Sequence, residues 1–358
     1  MSSNFDTLVL GDGVAAWAVS IFLARAGATV ALVGRSGKSV GPSIGEYLPP
    51  EGVLAAHAVK IGDLLDSPAH RSSAGIVSLW GSDHPVASSV LDSPGGQAYC
   101  LDRRQLHADL SARGREFGVR QVVGTGGPRQ HETSWSINTT AGPISAGLLI
   151  DASGRAAAGA RAAGAKVRRT DQLVAVARVF TDKPCPDSRL VVASNSDGWA
   201  YVAPLTHDRQ VAVVLTDADC LPRGHEARAE FALARLSASS EVSHRLGNIP
   251  PGPFFGLAAW SQITEPSAGS NWVAIGDAAM GFDPIGSAGL TKALRDAKEV
   301  SQSLQQGQRG DLRSLLSTRS ARFDSYQFGL VEAYATERRH TSPFWARRRE
   351  IDVWNGVA

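Results

Sequence analysis

The sequence Leu8-Val9-Leu10-Gly11-Asp12-Gly13-Val14-Ala15-Ala16 joins an apolar run to a segment rich in helix-forming residues. A second apolar run follows at residues 29–33, so the chain is predicted to form a strand–helix–strand unit. Gly11 permits the sharp turn after the first strand, Gly13 lets a pyrophosphate approach the backbone, and Ala16 allows close helix packing. Because glycine turns also serve as ordinary connections, this motif needs support from the rest of the chain.

The second predicted strand lacks one element of a dinucleotide-binding unit. An acidic residue is expected roughly 20 residues after the first glycine, where it holds the ribose hydroxyls of adenosine. Gly34 stands at this place and is followed by Arg35. Either the turn does not bind a dinucleotide, or backbone groups or water hold the ribose. The remaining motifs favour the second reading, with weaker retention of the cofactor.

Support comes from the other end of the chain. An apolar run at 272–275 stops at Gly276-Asp277, and the chain passes through Asp283-Pro284 and spaced glycines before an amphipathic helix starts at Leu290. This order predicts a strand, a tight loop and a helix N-terminus. Backbone N–H groups in such a loop form a site for an anion and an aromatic ring system.

Composition excludes several classes of function. A chain of 358 residues with 43% hydrophobic residues suits two interlocked domains, and a formal net charge of +2 gives no argument for nucleic acid or an acidic membrane surface. Cys100, Cys185 and Cys220 are widely spaced, which suggests neither a disulfide framework nor a metal site. The polar N-terminus and the lack of a long apolar span favour a cytoplasmic protein without a membrane segment.

Short apolar runs occupy the middle of the sequence. They lie at 174–180, 190–193, 199–203 and 211–215, and Asp, Asn, Pro and Gly separate them. The runs fit burial with a period of two, which is typical of strands that bury one face. They predict an antiparallel sheet inserted between two halves of a nucleotide-binding domain.

The motifs as a set resemble a known family. Gly11-x-Gly13, Asp102-Arg103, Asp151-Ala152-Ser153-Gly154 and Gly276-Asp277 with Asp283-Pro284 occur in the order found in FAD-dependent monooxygenases of the aromatic hydroxylase type. Within that group the chain is similar to the flavin halogenase branch. It is more similar still to the flavoproteins required for cysteine tryptophylquinone formation in lysine ε-oxidase and glycine oxidase. The residues of this narrower likeness lie at 45–50, 80–82, 198–205, 216–219 and 334–349.

The resemblance implies an α/β fold: a Rossmann-like FAD-binding domain of the aromatic hydroxylase type, an inserted antiparallel β-sheet substrate domain, and C-terminal helices. Residues 1–167 and 265–310 would form the discontinuous FAD-binding domain, with 76–95 contributing to the substrate side. Residues 168–264 would form the substrate domain, and 311–358 the C-terminal helical segment.

The resemblance also implies FAD as the cofactor and no metal. Asp277 would accept hydrogen bonds from the ribityl chain, Arg103 would anchor the phosphates or the adenosine side, and the loop from Pro284 would surround the isoalloxazine ring. The residues expected to bind the cofactor are Gly11, Gly13, Ala16, Arg35, Glu46, Arg103, Asp277, Pro284, Gly286, Gly289 and Leu290.

Candidates for acid–base chemistry are few. Asp83 and His84 lie in a predicted turn on the substrate side, where an imidazole would titrate in a suitable range, and Glu46 lies in a loop near the flavin. The alternative for all three is a solvated or structural role. The side chains expected to line a pocket for an indole are Trp80, Trp199, Tyr201 and Pro204, although aromatic residues on such strands also serve as core.

Halogenation is disfavoured. In flavin halogenases a lysine relays the hypohalous species and a Trp-x-Trp-x-x-Pro signature is present. The chain has the altered form Trp199-Ala200-Tyr201-Val202-Ala203-Pro204 and no lysine at 76–81, with Lys60 the nearest.

The sequence therefore predicts an FAD-dependent monooxygenase that hydroxylates a tryptophan side chain, in a precursor protein or peptide, during cysteine tryptophylquinone maturation. Oxygen would be the oxidant, and NAD(P)H would supply electrons directly or through a separate flavin reductase. One alternative is a hydroxylase or halogenase of a free small aromatic compound. Another is a flavin-bearing maturation partner with little turnover.

Overall fold

The computed structural model describes residues 3–35, 46–181, 185–250, 252–305, 312 and 314–349. The helices are α1 (Val14–Arg25), α2 (Pro50–Ala58), α3 (Arg103–Glu116), α4 (Ala158–Ala162), α5 (His225–Ser237), α6 (Ser240–Leu246), α7 (Gly289–Gln305), α8 (Ser314–Ala335) and α9 (Pro343–Arg349). The strands are β1 (Ser3–Leu10), β2 (Val30–Gly34), β3 (Glu46–Leu48), β4 (Arg71–Ser72), β5 (Gly75–Leu79), β6 (Val86–Ser89), β7 (Tyr99–Leu101), β8 (Arg120–Val123), β9 (Arg129–Gln130), β10 (Trp135–Thr139), β11 (Gly142–Asp151), β12 (Lys166–Arg169), β13 (Leu173–Phe180), β14 (Leu190–Asn195), β15 (Gly198–Pro204), β16 (Gln210–Asp217), β17 (Phe255–Ala258), β18 (Gln262–Glu265), β19 (Trp272–Ala274) and β20 (Met280–Gly281).

The first sheet has the order β8-β2-β1-β11-β10-β9, and β19 also pairs with β11. Strands β2, β1, β11 and β19 are mutually parallel where they pair, as expected for a Rossmann-like unit. Helix α1 follows β1 and packs against α7 and α3 in an apolar cluster that includes the fully buried Trp17. Ala16 is also fully buried there, so its small side chain serves helix packing.

The second sheet has the order β17-β13-β16-β15-β14-β5-β6. All pairs within residues 168–264 of this sheet are antiparallel, whereas β5 adds to β14 in the parallel sense. Every residue of β15 and β16 is buried, so the predicted period-two burial is wrong for these two strands. Helices α5 and α6 cover one face of the sheet and the C-terminal helices α8 and α9 cover the other, which excludes solvent from both faces.

A smaller sheet has the order β12-β18-β20. The predicted boundaries at 168 and 264 fall in β12 and β18, which pair with each other from Lys166 opposite Glu265 to Arg169 opposite Gln262. The two ends of the segment 168–264 therefore lie next to each other. Every helix in the described ranges is too short or too polar to span a bilayer.

Candidate functional site

Three loops meet at one edge of the first sheet. Leu10, Asp151 and Ala274 are aligned in register on β1, β11 and β19, so the segments that follow these strands emerge side by side. Ligands of open α/β sheets bind at the carboxyl ends of the strands, and the glycine turn after β1 lies there. The structure thus places the N-terminal motif and the Gly276-Asp277 motif at one site.

Two adjoining clefts run along this edge. The glycine cleft contains Gly11, Asp12, Gly34 and Arg35 together with a glycine-rich segment at 124–127. The aromatic cleft contains Arg103, Arg155, Asp277, Trp199 and Tyr201 together with the loop at 282–290. Both clefts share Gly13, Ala152 and Gly154, so they form one elongated site that bends around the β1 turn.

The glycines of this bend have distinct roles. Gly11 adopts a φ of +119°, and a Cβ atom there would lie 2.3 Å from the carbonyl oxygen of Ala152. A side chain at Gly11 therefore clashes with the loop after β11. In contrast, a Cβ at Gly13 or Gly154 would meet no heavy atom within 4 Å, because both residues face open space. These two positions leave the backbone accessible to an elongated ligand.

Arg155 connects the loops that follow β11 and β19. Its Nη1 lies 2.5 Å from Oδ2 of Asp277, and its Nη2 donates to the carbonyl oxygen of Phe282 at 2.9 Å. The carboxylate of Asp277 is thereby fixed at the side of the aromatic cleft. The sequence prediction did not include Arg155, although it directly follows the Asp151-Ala152-Ser153-Gly154 motif.

The loop before α7 forms one wall of the aromatic cleft. Asp283 caps a 3₁₀ turn at Pro284–Gly286, since its Oδ1 accepts from the backbone N–H of Ile285 at 2.9 Å. Pro284, Gly289 and Leu290 line the cleft, while Gly286 lies exposed between two lining residues. The N-terminus of α7 borders the same space and favours negative charge there.

The structure brings two of the predicted pocket residues to the cleft. Trp199 and Tyr201, both on β15, line it beside Leu190 and Val192 of β14. Trp80 and Pro204 are not among the residues that line either cleft. The Trp80 ring instead packs edge-on against Trp199, with ring centroids 6.3 Å apart.

Asp83 and His84 lie away from both clefts. They occupy the exposed turn between β5 and β6, where Asp83 pairs with Arg339 at 2.5 Å. Their placement does not support a catalytic role. The backbone of Glu46 pairs with Leu101 in a small sheet, but the placement of its side chain, like that of Gly45, lies outside what the structure describes.

Asp283 is the titratable group that sequence reasoning missed as a candidate for chemistry. It is 2% exposed, and its Oδ2 accepts a hydrogen bond of 2.8 Å from Tyr334 Oη. Tyr334 Oη in turn accepts from Nε1 of Trp199 at 2.9 Å. Burial and the nearby carboxylate of Asp171 raise the pKa of Asp283 to about 7, against the effect of Arg348. A buried hydrogen-bonded chain thus joins a carboxyl group that titrates near neutrality to a side chain of the cleft.

Removal of the Tyr334 hydroxyl should destabilise the protein. In Tyr334→Phe the buried N–H of Trp199 loses its partner, which costs about 1–3 kcal/mol of unfolding free energy. Denaturant unfolding of the variant beside Tyr99→Phe, a half-buried tyrosine outside both clefts, measures this loss. Equal stability of the two variants would contradict the importance of the buried bond.

The fold and the site define a flavin-dependent oxidoreductase, and its cofactor is FAD. The tryptophan halogenase family model matches residues 84–357, which is most of the chain, so the protein belongs to that family. A protein of Marinomonas mediterranea described as a candidate FAD-dependent oxidoreductase, LodB, is 25% identical over 98% of both chains.

Solved structures with the same fold include two enzymes of different activity. The peptidyl tryptophan dihydroxylase QhpG, described as essential for tryptophylquinone cofactor biogenesis, superposes with a TM-score of 0.80 at 23% identity over 98% of this chain and 79% of its own. The myxobacterial chondrochloren halogenase CndH superposes with a TM-score of 0.85 at 21% identity over 98% of this chain and 87% of its own. The fold alone therefore does not distinguish hydroxylation from halogenation.

The residues of the elongated site fit FAD. The open faces of Gly13 and Gly154 suit the pyrophosphate, and Asp277 presents a fixed carboxylate to a hydroxylated chain. The aromatic cleft beyond them is lined by the 284–290 loop and the strand residues, which suits a flat ring system. Within the described ranges, no three His, Cys, Asp or Glu side chains form a cluster suited to a metal ion.

Proposed function

We propose that this protein is an FAD-dependent monooxygenase that hydroxylates a tryptophan side chain in a precursor protein or peptide. The modified residue would become part of cysteine tryptophylquinone. Residues 1–167 and 265–310 would bind FAD, and residues 168–264 would bind the substrate. Oxygen would supply the added atom, and NAD(P)H would supply two electrons directly or through a separate reductase.

The observation that carries this proposal is the aromatic wall next to the flavin loop. Trp199 and Tyr201 line the same cleft as Pro284 and Leu290. Edge and face contacts with such rings favour an aromatic substrate such as indole. QhpG, which shares the fold, is described as acting on peptidyl tryptophan, and this agrees with the proposed substrate.

The lysines favour oxygenation over halogenation. No lysine is among the described residues that line the aromatic cleft. Lys292 is the buried lysine of α7, and its Nζ lies 3.7 Å from Asp296 and 5.4 Å from the centre of the Phe282 ring. Lys60 is exposed at the end of α2. A side chain that relays a hypohalous species would have to reach the cleft, and neither of these lysines lines it.

The chain's own residues would perform four tasks. Trp199 and Tyr201 would orient the indole, while α5, α6, α8 and α9 keep water away from the strands behind it. Asp283 would accept the proton that the indole ring loses when it gains oxygen. Tyr334 holds that carboxyl in place. FAD, when bound, supplies the activation of oxygen.

Mass spectrometry of three parallel reactions tests the proposal. The enzyme is incubated with FAD, reductant and oxygen, and with one of three additions: a candidate precursor protein, free tryptophan, or free tryptophan with chloride and bromide. We expect one or more oxygen atoms on a tryptophan of the precursor and little change of the free amino acid. The same precursor without enzyme is the control.

Other outcomes identify the alternatives. Rapid hydroxylation of free tryptophan without change of any protein would indicate a small-molecule hydroxylase, and halogen incorporation would indicate a halogenase. Tight binding of the precursor without any mass change would indicate a flavin-bearing maturation partner. Each of these three results would refute the proposal.

A further inference from the structure

The end of β2 lacks the expected acidic residue, but Asp12 of the glycine turn lies next to that position. A Cβ atom built on Gly34 would lie 3.2 Å from Oδ2 of Asp12 and 3.3 Å from its Cβ. The side chain of Asp12 therefore lies against the end of β2, beside the space that a residue at position 34 would fill. Strands β1 and β2 are parallel neighbours, with Leu10 opposite Val33, so both positions belong to the same edge.

Asp12 is placed to meet a ligand. It lines the glycine cleft with Gly34 and Arg35, and its side chain is only partly buried. In the described part of the chain, its carboxylate forms no hydrogen bond or ion pair with another side chain. By comparison, Asp277 is already held by Arg155, and Asp283 by Tyr334. A carboxylate at a strand edge that is not paired within the described residues is suited to ligand hydroxyls.

We propose that Asp12 binds the ribose hydroxyls of the adenosine half of FAD, in place of the acidic residue that normally ends β2. The carboxylate would thus come from the turn after β1 and not from the end of β2. Gly34 leaves room for this arrangement, because a side chain there would press against the side chain of Asp12. The inference rests on FAD as the cofactor and is independent of the substrate.

Asp12 also affects whether the site prefers a ribose with or without a 2′-phosphate. A small residue followed by arginine at the end of β2, as in Gly34-Arg35, also suits the 2′-phosphate of NADP. A carboxylate at the same edge opposes that phosphate through like charge and favours free hydroxyls through hydrogen bonds. The pair of observations therefore selects a ribose without a 2′-phosphate.

Competition between ADP analogues and FAD for the full-length chain tests this role. The chain is freed of FAD and then loaded with a known amount of it. ADP, 2′-deoxy-ADP, 3′-deoxy-ADP and 2′-phospho-ADP-ribose are each used to displace that FAD, with flavin fluorescence as the signal. We expect the wild type to bind ADP about 5- to 20-fold more tightly than at least one deoxy analogue, as for hydrogen bonds to a partly exposed charge. In Asp12→Ala this preference should fall below about twofold, with a similar loss in FAD affinity.

A carboxylate swap provides the matched control. Asp12→Gly should weaken FAD binding, and Asp12→Gly with Gly34→Glu should restore it, because the space beside Gly34 is then vacant for the new side chain. Gly34→Glu alone should not improve binding, since Asp12 remains in place. Retention of the deoxy preference in Asp12→Ala, or wild-type FAD affinity in that variant, would overturn the assignment. Normal FAD binding without tryptophan hydroxylation would refute only the proposed function.

Discussion

Asp283→Asn is expected to lower the turnover of the tryptophan substrate by about 10²- to 10⁴-fold, which is the usual contribution of a general acid or base. The amide cannot accept a proton from the reacting ring. It still fits the buried site, because its oxygen and nitrogen can bond to Ile285 N–H and Tyr334 Oη. Single-turnover rates with saturating FAD and precursor measure the effect on chemistry without product release.

The pH dependence identifies the group. If Asp283 is the base, wild-type turnover rises as pH rises through about 7, where the buried carboxyl loses its proton. The groups that face it are the carboxyl of Asp171, the hydroxyls of Tyr326 and Tyr334, and Arg348. The variant should lack this rise. A pH profile that is unchanged in Asp283→Asn would exclude Asp283 as the base.

The pH dependence of the free energy of unfolding is a second test of the pKa of Asp283. Its pKa is raised above that of the unfolded chain, so between the two values the native state holds a proton that the unfolded state has lost. Stability therefore falls as pH rises from about 4 to about 7, and Asp283→Asn should remove this component of the fall. Asp63→Asn breaks a pair with Arg113 that lowers the pKa of Asp63, so it should reduce stability without altering the pH profile of turnover, and the fall in stability towards about pH 7 should remain.

Local sequence motifs predicted part of the fold and part of the site. The motifs at Gly11-x-Gly13 and Gly276-Asp277 predicted the first sheet and the α7 loop, because turn chemistry and strand–helix order are local properties of the chain. Asp102, which the motif set includes, caps the N-terminus of α3, since its carboxylate accepts from the N–H groups of Arg104 and Gln105. Such features require no knowledge of distant contacts.

Contacts between residues far apart in sequence determine the features that the motifs did not predict. The pKa of Asp283 depends on its burial and on Asp171 and Arg348, which are far from it in sequence and meet it only after the second sheet and the C-terminal helices pack. The same packing buries both faces of β15 and β16, which an alternating pattern did not predict. His84 suggested chemistry by residue type, yet it lies in an exposed turn and lines neither cleft.

Asp277→Ala is expected to weaken FAD binding by about 10- to 100-fold, as for the loss of hydrogen bonds to a charged group. Asp277 follows Gly276, which adopts a φ of +59° and donates its N–H to Asp296 at 2.9 Å, so the loop keeps its path without the carboxylate. The loss should therefore affect the cofactor before the fold. Removal of the carboxylate also leaves the guanidinium of Arg155 without its ion pair, next to the FAD site.

Titration of FAD into the chain freed of cofactor, with the melting temperature of the same preparation, separates the two effects. We expect a large rise in Kd and a small change in the melting temperature without FAD. The stabilisation by added FAD should shrink with the logarithm of the lost affinity. Glu265→Gln breaks an exposed ion pair with Arg168 and is the matched control. If Asp277→Ala binds FAD as the wild type does, Asp277 does not hold the ribityl chain. If the variant unfolds without FAD, the Arg155–Asp277 pair serves the fold instead.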